Sequence, residues 1–212
     1  MKKAKKILVM VAALALTAAL AIGGTLAYLT AKTEVVKNTF TVGKVEITLD
    51  EAPVDEYGVA VTGDRRTTNE YKLIPGHNYK KDPTVHVASG SEESWLFVKV
   101  ENGIKNIEAK PEQGQTDTTS IAAQMDDKGW TLVSGQTDVY AYASKVKAGD
   151  NIPVFDSFTL AGDADVAQYV TEKDAEGNIT NEDVIFITAY AVQADGFGSA
   201  ADAWAKAPAS WT

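Results

Sequence analysis

Residues 38–50, NTFTVGKVEITLD, carry the strongest strand pattern in this sequence. The apolar side chains recur at every second position, apart from one slip of phase at Gly43: Phe40, Val42, Val45, Ile47 and Leu49. A period of two is typical of a β-strand with one buried face, and a slip at a glycine is what a β-bulge produces. We therefore predict one bent strand over residues 38–50, with these five side chains facing the core.

Further short runs have the apolar pattern of strands and are separated by polar, turn-rich segments: 85–87, 95–100, 139–142, 155–160 and 184–192. The last run is apolar on both faces, which is typical of a central strand. Helical patterns are confined to two short stretches, 120–127 and 200–206, and Ser199 is placed to cap the second. The sequence thus predicts an all-β fold, a jelly-roll-like antiparallel β-sandwich with one or two short helices.

The N-terminus has the profile of an export signal. Four lysines lie within the first six residues, and an almost unbroken apolar run follows from Ile7 to Ile22. Small residues then occupy the two positions that a signal peptidase reads, which predicts cleavage between Ala27 and Tyr28. A retained membrane anchor is the alternative, although a spanning helix usually needs about 20 apolar residues and this run is shorter. We predict a signal peptide over residues 1–27 and a single secreted domain over residues 28–212.

Composition limits the partners and the chemistry. Removal of the four N-terminal lysines changes the formal net charge from −9 to −13. A surface this acidic repels nucleic acid and anionic lipid, so we expect no nucleic-acid partner and membrane contact only for the precursor. The sequence contains no cysteine, which excludes disulfides, thiolate metal sites, cysteine nucleophiles and a lipoprotein anchor. We expect a secreted, extracellular protein whose fold depends on its core.

The sequence lacks the motifs of the common hydrolases. Its two histidines, His77 and His86, are nine residues apart and cannot form the His-Glu-x-x-His helix of a zinc protease. No Gly-x-Ser-x-Gly elbow occurs, and the acidic loop 174–178 departs from the spacing of a calcium loop. We therefore predict no catalytic residue, no metal site and no cofactor. The four tryptophans are expected in the core: Trp95, Trp130, Trp204 and Trp211.

Several short sequence blocks are spread over nearly the whole chain: Gly23–Tyr28, Asn38–Val45, Leu73–Gly76, Lys81–Val85, Glu92–Asn102 and Ala189–Ala194. Together they resemble the TasA/camelysin family of Gram-positive bacteria, whose larger members depend on a SipW-type signal peptidase. The first resembles the Gly-Gly-Thr-x-Ala signal end of that family, and the second resembles its Asn-x-Phe-x-x-Gly pattern.

The resemblance implies a jelly-roll domain exported to the cell surface, where relatives form fibres of the biofilm extracellular matrix. It implies a SipW-type signal peptidase as processing partner, and self-association or association with related matrix subunits. In such fibres the N-terminal segment of one subunit completes the β-sheet of the next. Residues 28–50 are then the candidate assembly strand. Its contact residues are Gly43 and the apolar residues of the alternating pattern: Phe40, Val42, Val45, Ile47 and Leu49.

Three alternatives stay open at this point. The assembly strand pairs within its own domain instead, since neighbouring strands usually pair locally. The camelysin branch is classed with metalloproteases, so an extracellular metalloprotease is one rival function. A carbohydrate-binding or adhesive module is the other, and it requires two or more tryptophans on one exposed face.

Overall fold

Antiparallel strands make up most of the regular structure in the part of the chain that the computed structural model describes, residues 43–169, 184–208 and 211. The strands within these ranges are β1 (Ile47–Asp50), β2 (Asn78–Lys80), β3 (Thr84–Val87), β4 (Ser94–Asn102), β5 (Trp130–Leu132), β6 (Val139–Tyr142), β7 (Asn151–Pro153), β8 (Ser157–Thr159) and β9 (Ile185–Gln193). The helices there are α1 (Ile121–Asp127), α2 (Ala200–Trp204) and one 3-10 turn, Val166–Gln168. The predicted all-β class with two short helices is confirmed.

The described strands form three sheets, and every pair in them is antiparallel. The sheets have the orders β1-β3-β7, β5-β6-β4-β9 and β2-β8. The longest ladder joins β4 to β9, from Ser94 opposite Gln193 to Asn102 opposite Ile185. The jelly-roll topology stays a prediction.

Both faces of β4 are buried. Leu96 and Val98 belong to the main core between the three-stranded and four-stranded sheets, together with Val85 of β3. Phe97 points to the other face, where its ring centroid lies 5.0 Å from that of Trp204 in α2. Because successive side chains of a strand point to opposite faces, a sheet covered on both sides produces the continuous apolar run that the sequence shows.

Serine side chains cap both helices. The Ser199 hydroxyl accepts a hydrogen bond from Asp202 N at 3.2 Å, as the sequence predicts for α2. The Ser120 hydroxyl accepts one from Ala123 N at 3.2 Å and begins α1 in the same way. Each hydroxyl satisfies a backbone donor that the first helical turn leaves without an internal partner. The cap of α2 begins the helix that places Trp204 against Phe97 of the four-stranded sheet.

The bent strand predicted over residues 38–50 is regular only from Ile47 onward within the described residues. Its partner β3 ends at Val87, and the chain then turns. Upstream of Ile47 the backbone is bonded to that turn instead, because Glu46 N donates to Ser91 Oγ at 3.0 Å and Lys44 O accepts from Glu92 N at 2.9 Å. Residues 43–46 are thus not part of the regular strand, since a strand needs a partner that runs beside it, and residues 38–42 of the predicted strand lie outside the described residues.

Among the described strands β9 ends its sheet, so the central position that the sequence analysis predicted is not seen within the described residues. Within the described residues it pairs on one side only, with β4. Ile187 and Ala189 face the main core, and Tyr190 and Val192 face the cluster around Trp204. Apolar residues on both faces indicate covered faces, and they carry no information on whether both edges are paired.

Candidate functional site

Among the described strands, one side of the sandwich ends in two strand edges, which we name the open edge. There β1 is the last strand of the three-stranded sheet and β9 the last strand of the four-stranded sheet, and Cα atoms of the two come within 8 Å of each other. In the described part of the chain no ladder joins them, and neither has a strand partner on its outer side. Strands joined by a ladder lie about 4.8 Å apart. Because no ladder joins β1 to β9, the two sheets are close at the open edge but do not form one continuous sheet.

Four apolar side chains at the open edge face the core and are only half-buried: Ile47, Leu49, Ile187 and Ala189. Leu96 and Val98 face the same core from the middle of the four-stranded sheet and are fully buried. The difference follows from position, because a central strand is covered on both sides and an edge strand on one. Apolar surface that stays partly in water at a sheet edge favours the addition of a further strand.

β9 lacks the features that usually protect a sheet edge. It is nine residues long, has no charged residue and no proline, and leaves Phe186 40% exposed. The opposite edge strands differ, since β7 ends in Pro153 and β5 has only three residues. Prolines, charges and short strands are the means by which soluble proteins prevent edge-to-edge pairing. Among the outer strands of these two sheets, β9 is the best suited to accept another strand.

The chain enters the described fold beside the C-terminal end of β9. Gly43 lines a shallow pocket together with Gln193 and three acidic residues, Glu92, Glu93 and Asp195. A Cβ atom at position 43 would lie 2.9 Å from Glu92 Cγ, so the close approach favours glycine. The preceding segment, 28–42, contains two lysines and one glutamate and is thus net positive, whereas the whole chain is −9.

The described part of the predicted assembly strand lies in its own sheet. Val45, Ile47 and Leu49 are half-buried and alternate with exposed residues, so the predicted period of two is confirmed here. Ile47 lies opposite Val87 and Leu49 opposite Val85, both in β3. Pairing within the domain, which the sequence analysis left as an alternative, is thus confirmed for residues 47–50.

The remaining predicted site residues fall outside the described residues. These are the contact residues Phe40 and Val42 and the cleavage residues Ala27 and Tyr28. The signal peptide and the assembly role of these positions stay predictions. Within the described ranges, no helix combines the length and the apolar character that crossing a membrane requires.

A polar cluster absent from the sequence predictions holds the C-terminal end of β1. Arg65, in the loop after β1, donates through Nε to Asp50 and through Nη1 to Asp82 Oδ2 at 3.2 Å. Its Nη2 donates to the backbone oxygens of Asp50 and Asp82 at 3.1 and 2.9 Å. Burial alone raises the pKa of Asp50, but hydrogen bonds from Arg65 and His86 outweigh it and hold that pKa below its usual value. No local signal reveals Arg65, because the carboxylates it binds are 15 and 17 residues away.

The two histidines bind separate partners. His77 Nε2 lies 2.9 Å from the backbone oxygen of Tyr57, and His86 Nε2 lies 2.8 Å from Asp50 Oδ1. In residues 43–169, 184–208 and 211, no three histidine or acidic side chains form a group able to hold a metal ion. The acidic loop 174–178 lies outside these ranges. The described histidines therefore act as hydrogen-bonding residues of loops and strands.

The tryptophans lie in or against the core, as predicted. Trp130 and Trp204 are 1% and 9% exposed, and Trp95 and Trp211 are half-buried. Trp130 Nε1 donates to the backbone oxygen of Pro153 at 2.9 Å, which satisfies its polar atom inside the core. No two of the four form an exposed platform of the kind that a carbohydrate-binding face requires.

These features define the class of protein as an all-β sandwich in which, among the described residues, the long strand β9 has no partner on its outer side. No protein-family model, curated protein or solved structure matches the chain. Its function is therefore inferred from the open edge and from the sequence.

Proposed function

We propose that this protein is a secreted structural subunit of the cell surface or biofilm extracellular matrix, similar to the TasA/camelysin family, and that it assembles into fibres by strand addition. Residues 28–42 of one copy pair with the free edge of β9 in the next copy. The observation that carries this proposal is the open edge, where a nine-residue strand without charge or proline has no outer partner among the described residues. An extended segment joins such an edge through backbone hydrogen bonds.

The N-terminal segment has side chains suited to the open edge. Phe40 and Val42 alternate with polar neighbours, so both lie on one face of an extended chain. Complete burial of a phenylalanine or valine side chain contributes about 1.5–3 kcal/mol. In the proposed arrangement this face covers Ile187 and Ala189, which are half-buried in the subunit. Strand addition thus removes apolar surface of both copies from water.

β1 stays with its own subunit in this arrangement. It is paired with β3 over Ile47–Asp50, and Arg65 binds its last residue. The exchanged segment therefore ends before Gly43, and the assembly strand shortens from residues 28–50 to residues 28–42. A strand added to β9 lies about 4.8 Å beyond it, where the described residues place no other strand.

Export and charge favour the same role. The signal peptide predicted over residues 1–27 sends the chain outside the cell, with a SipW-type signal peptidase as its processing partner. Segment 28–42 is net positive, and the pocket at the end of β9 contains Glu92, Glu93 and Asp195. Opposite charges steer the encounter of two subunits. The partners are further copies or related matrix subunits, and the proposed role involves no enzymatic activity.

The test compares residues 28–212 with residues 43–212 by electron microscopy and light scattering. We expect fibres from the longer protein only, and a monomer from the shorter one, with equal β content by circular dichroism. A synthetic peptide of residues 28–42 should bind the shorter protein in a one-to-one ratio. Two equally folded monomers under all conditions tried, with no peptide binding, would show that strand addition is wrong.

A lysine at the edge of β9 tests the acceptor directly. Phe186 is exposed and lies opposite Glu101 of β4, so Phe186→Lys charges the edge while the new ammonium can pair within the subunit. We expect this variant to stay monomeric, because charged residues block strand addition at an edge. Leu132→Lys, at the opposite edge of the same sheet, is the matched control and should still form fibres. Equal assembly of both variants would exclude β9 as the acceptor.

The protease alternative has a separate test. Metal analysis and a casein digestion assay on the purified secreted protein should show neither bound zinc nor cleavage. Stoichiometric zinc together with cleavage that a chelator abolishes would replace the structural role by a camelysin-like one.

A further inference from the structure

The outward backbone groups of β9 belong to every second residue. In an antiparallel ladder, alternate residues exchange hydrogen bonds with the partner strand, and the residues between them point the other way. Beyond one end of the ladder with β4, Ala194 N donates to Glu93 O at 2.7 Å. Beyond the other end, Gly103 N donates to Val184 O at 2.9 Å. Even-numbered residues of β9 are therefore bonded to β4, and the odd-numbered residues direct N–H and C=O outward: Ile185, Ile187, Ala189, Ala191 and Gln193.

The other side of β4 confirms this alternation. Val100 N donates to Asp138 O at 2.8 Å, so even-numbered residues of β4 are bonded to β6 and odd-numbered ones to β9. No described strand lies on the outer side of β9, so its outward groups have no ladder partner in this part of the chain. A row of such groups is a template for an extended chain.

The residues with outward backbone groups also have side chains that face the main core. Ile187, Ala189 and Ala191 pack against that core and are half-buried, whereas Tyr190 and Val192 belong to the cluster around Trp204. In an antiparallel pair, directly opposite residues exchange bonds and share a face. The apolar residues of an antiparallel partner are then the residues that bond to β9. In a parallel partner, their polar neighbours bond instead.

Chain connectivity separates the two directions. Gly43 lies beside Gln193, the last residue of β9, because both line the same pocket. If Val42 of the same subunit lay antiparallel opposite Ile187, it would be about 20 Å along β9 from Gln193. Adjacent Cα atoms are only about 3.8 Å apart, so Val42 cannot be both there and bonded to Gly43. An antiparallel partner that pairs through Val42 must therefore come from another copy.

We infer that β9 binds an antiparallel strand of a second copy, with Phe40 and Val42 bonded to Ala189 and Ile187, an assignment that rests on the proposed function. Every strand pair in the described sheets is antiparallel, and antiparallel pairing is slightly more stable per residue than parallel pairing. The donor's Gly43 then lies toward the first residue of the acceptor's β9. Copies follow each other head to tail, which is the arrangement that gives open-ended filaments.

Hydrogen exchange of the single subunit tests the outward groups. The sample is residues 28–212 with Phe186→Lys, which blocks the edge by charge. We expect the amides of Ile187, Ala189 and Ala191 to exchange rapidly, and those of Thr188 and Tyr190 to be protected by β4. Equal protection of both sets would show that β9 is covered within its own subunit, and would overturn the inference.

Hydrogen exchange of fibres of the natural residues 28–212 tests the direction. The odd-numbered amides of β9 should slow by at least about a hundredfold, since amides of paired core strands exchange only through large openings. Phe40 and Val42 should be protected, and Thr39 and Thr41 should not. The reverse pattern would mean parallel pairing, which refutes this inference but leaves strand addition intact. Fibres with unchanged β9 amides would refute β9 as the acceptor, and a lack of fibres would refute strand addition itself.

Two proline variants test the same alternation by assembly and stability. Ala189→Pro removes an outward N–H and keeps the bonds to β4, and proline is tolerated on an edge strand where its nitrogen faces solvent. Thr188→Pro removes an N–H on the side of Lys99 in β4. We expect Ala189→Pro to fold without forming fibres, and Thr188→Pro to have the lower unfolding midpoint in urea. Fibres from Ala189→Pro would contradict the inference. If that variant fails to fold, the exchange pattern of the natural fibres still decides.

Discussion

The ion pair between Lys81 and Glu51 offers the sharpest test of the energetics of this fold. Lys81 Nζ lies 2.5 Å from Glu51 Oε2, and the two side chains are only 11% and 5% exposed. Lys81→Met keeps a side chain of similar length and removes the charge. Glu51 then remains as a buried carboxylate without the cation that compensates it.

The expected cost is large because the pair is shielded from water. Removal of one partner of a buried ion pair costs about 3–5 kcal/mol, and the slight exposure of Lys81 places the expectation near the lower end. The free energy of unfolding of a single-domain protein is about 5–15 kcal/mol, so Lys81→Met removes a substantial part of the stability. With a urea dependence of about 2 kcal/mol per molar, the unfolding midpoint falls by roughly 1.5 M.

Urea unfolding followed by tryptophan fluorescence measures the effect, and two further variants make it interpretable. Lys44→Met breaks the pair of Lys44 with Glu46, whose side chains are 62% and 51% exposed, and should cost at most about 1 kcal/mol. The double variant Lys81→Met with Glu51→Leu removes both buried charges and should recover most of the loss. Equal costs for Lys81→Met and Lys44→Met, or strict additivity in the double variant, would contradict the assigned role of burial.

Three further predictions concern other parts of the structure. Trp204→Ala should destabilise the fold by about 3–5 kcal/mol in urea unfolding, because it empties the cluster between α2 and the four-stranded sheet; a cost below 1 kcal/mol would show that α2 is not packed. Gly58→Ala should lower the free energy of unfolding by about 1–3 kcal/mol, because φ at Gly58 is +76° and a Cβ atom there would lie 2.8 Å from Tyr79 Cα. Gly90→Ala is the control. Its φ of +82° is similar, but a Cβ atom there would meet no atom within 4 Å, so the loss should be smaller. Burial raises the pKa of Glu108, so its protonation favours the folded state. The stability of the natural chain relative to Glu108→Gln should therefore increase as the pH falls from 7 to 4 in urea titrations, and a constant difference would contradict that shift.

The period-two patterns were readable in the sequence because strand alternation is a local property. Leu96 and Val98 belong to one cluster and Phe97 to the other, as their alternation indicates. The cap of α2 at Ser199 was readable for a similar reason, since a serine hydroxyl reaches only the next helical turn. The all-β class follows from such local signals together with the scarcity of helical ones.

The open edge was not readable in the same way. The segment 184–192 is apolar on both faces, and this pattern is the same for a central strand and for an edge strand whose two faces are covered. Its lack of charge and proline was the available signal for the proposal that β9 accepts a partner. The contacts of Arg65 and His86 with Asp50 had no signal, because polar residues of these types are common in loops and on solvent-facing strand positions.

Local chemistry thus accounts for which residues of this chain form strands, where its helices begin and why no disulfide is possible. The arrangement of the strands, in contrast, does not follow from local chemistry. That β1 pairs with β3, that β9 pairs only with β4 among the described strands, and that Arg65 and His86 both bind Asp50 all depend on partners far apart in sequence. A strand edge pairs with whichever segment the whole fold brings beside it, and for β9 the fold brings none from the described residues.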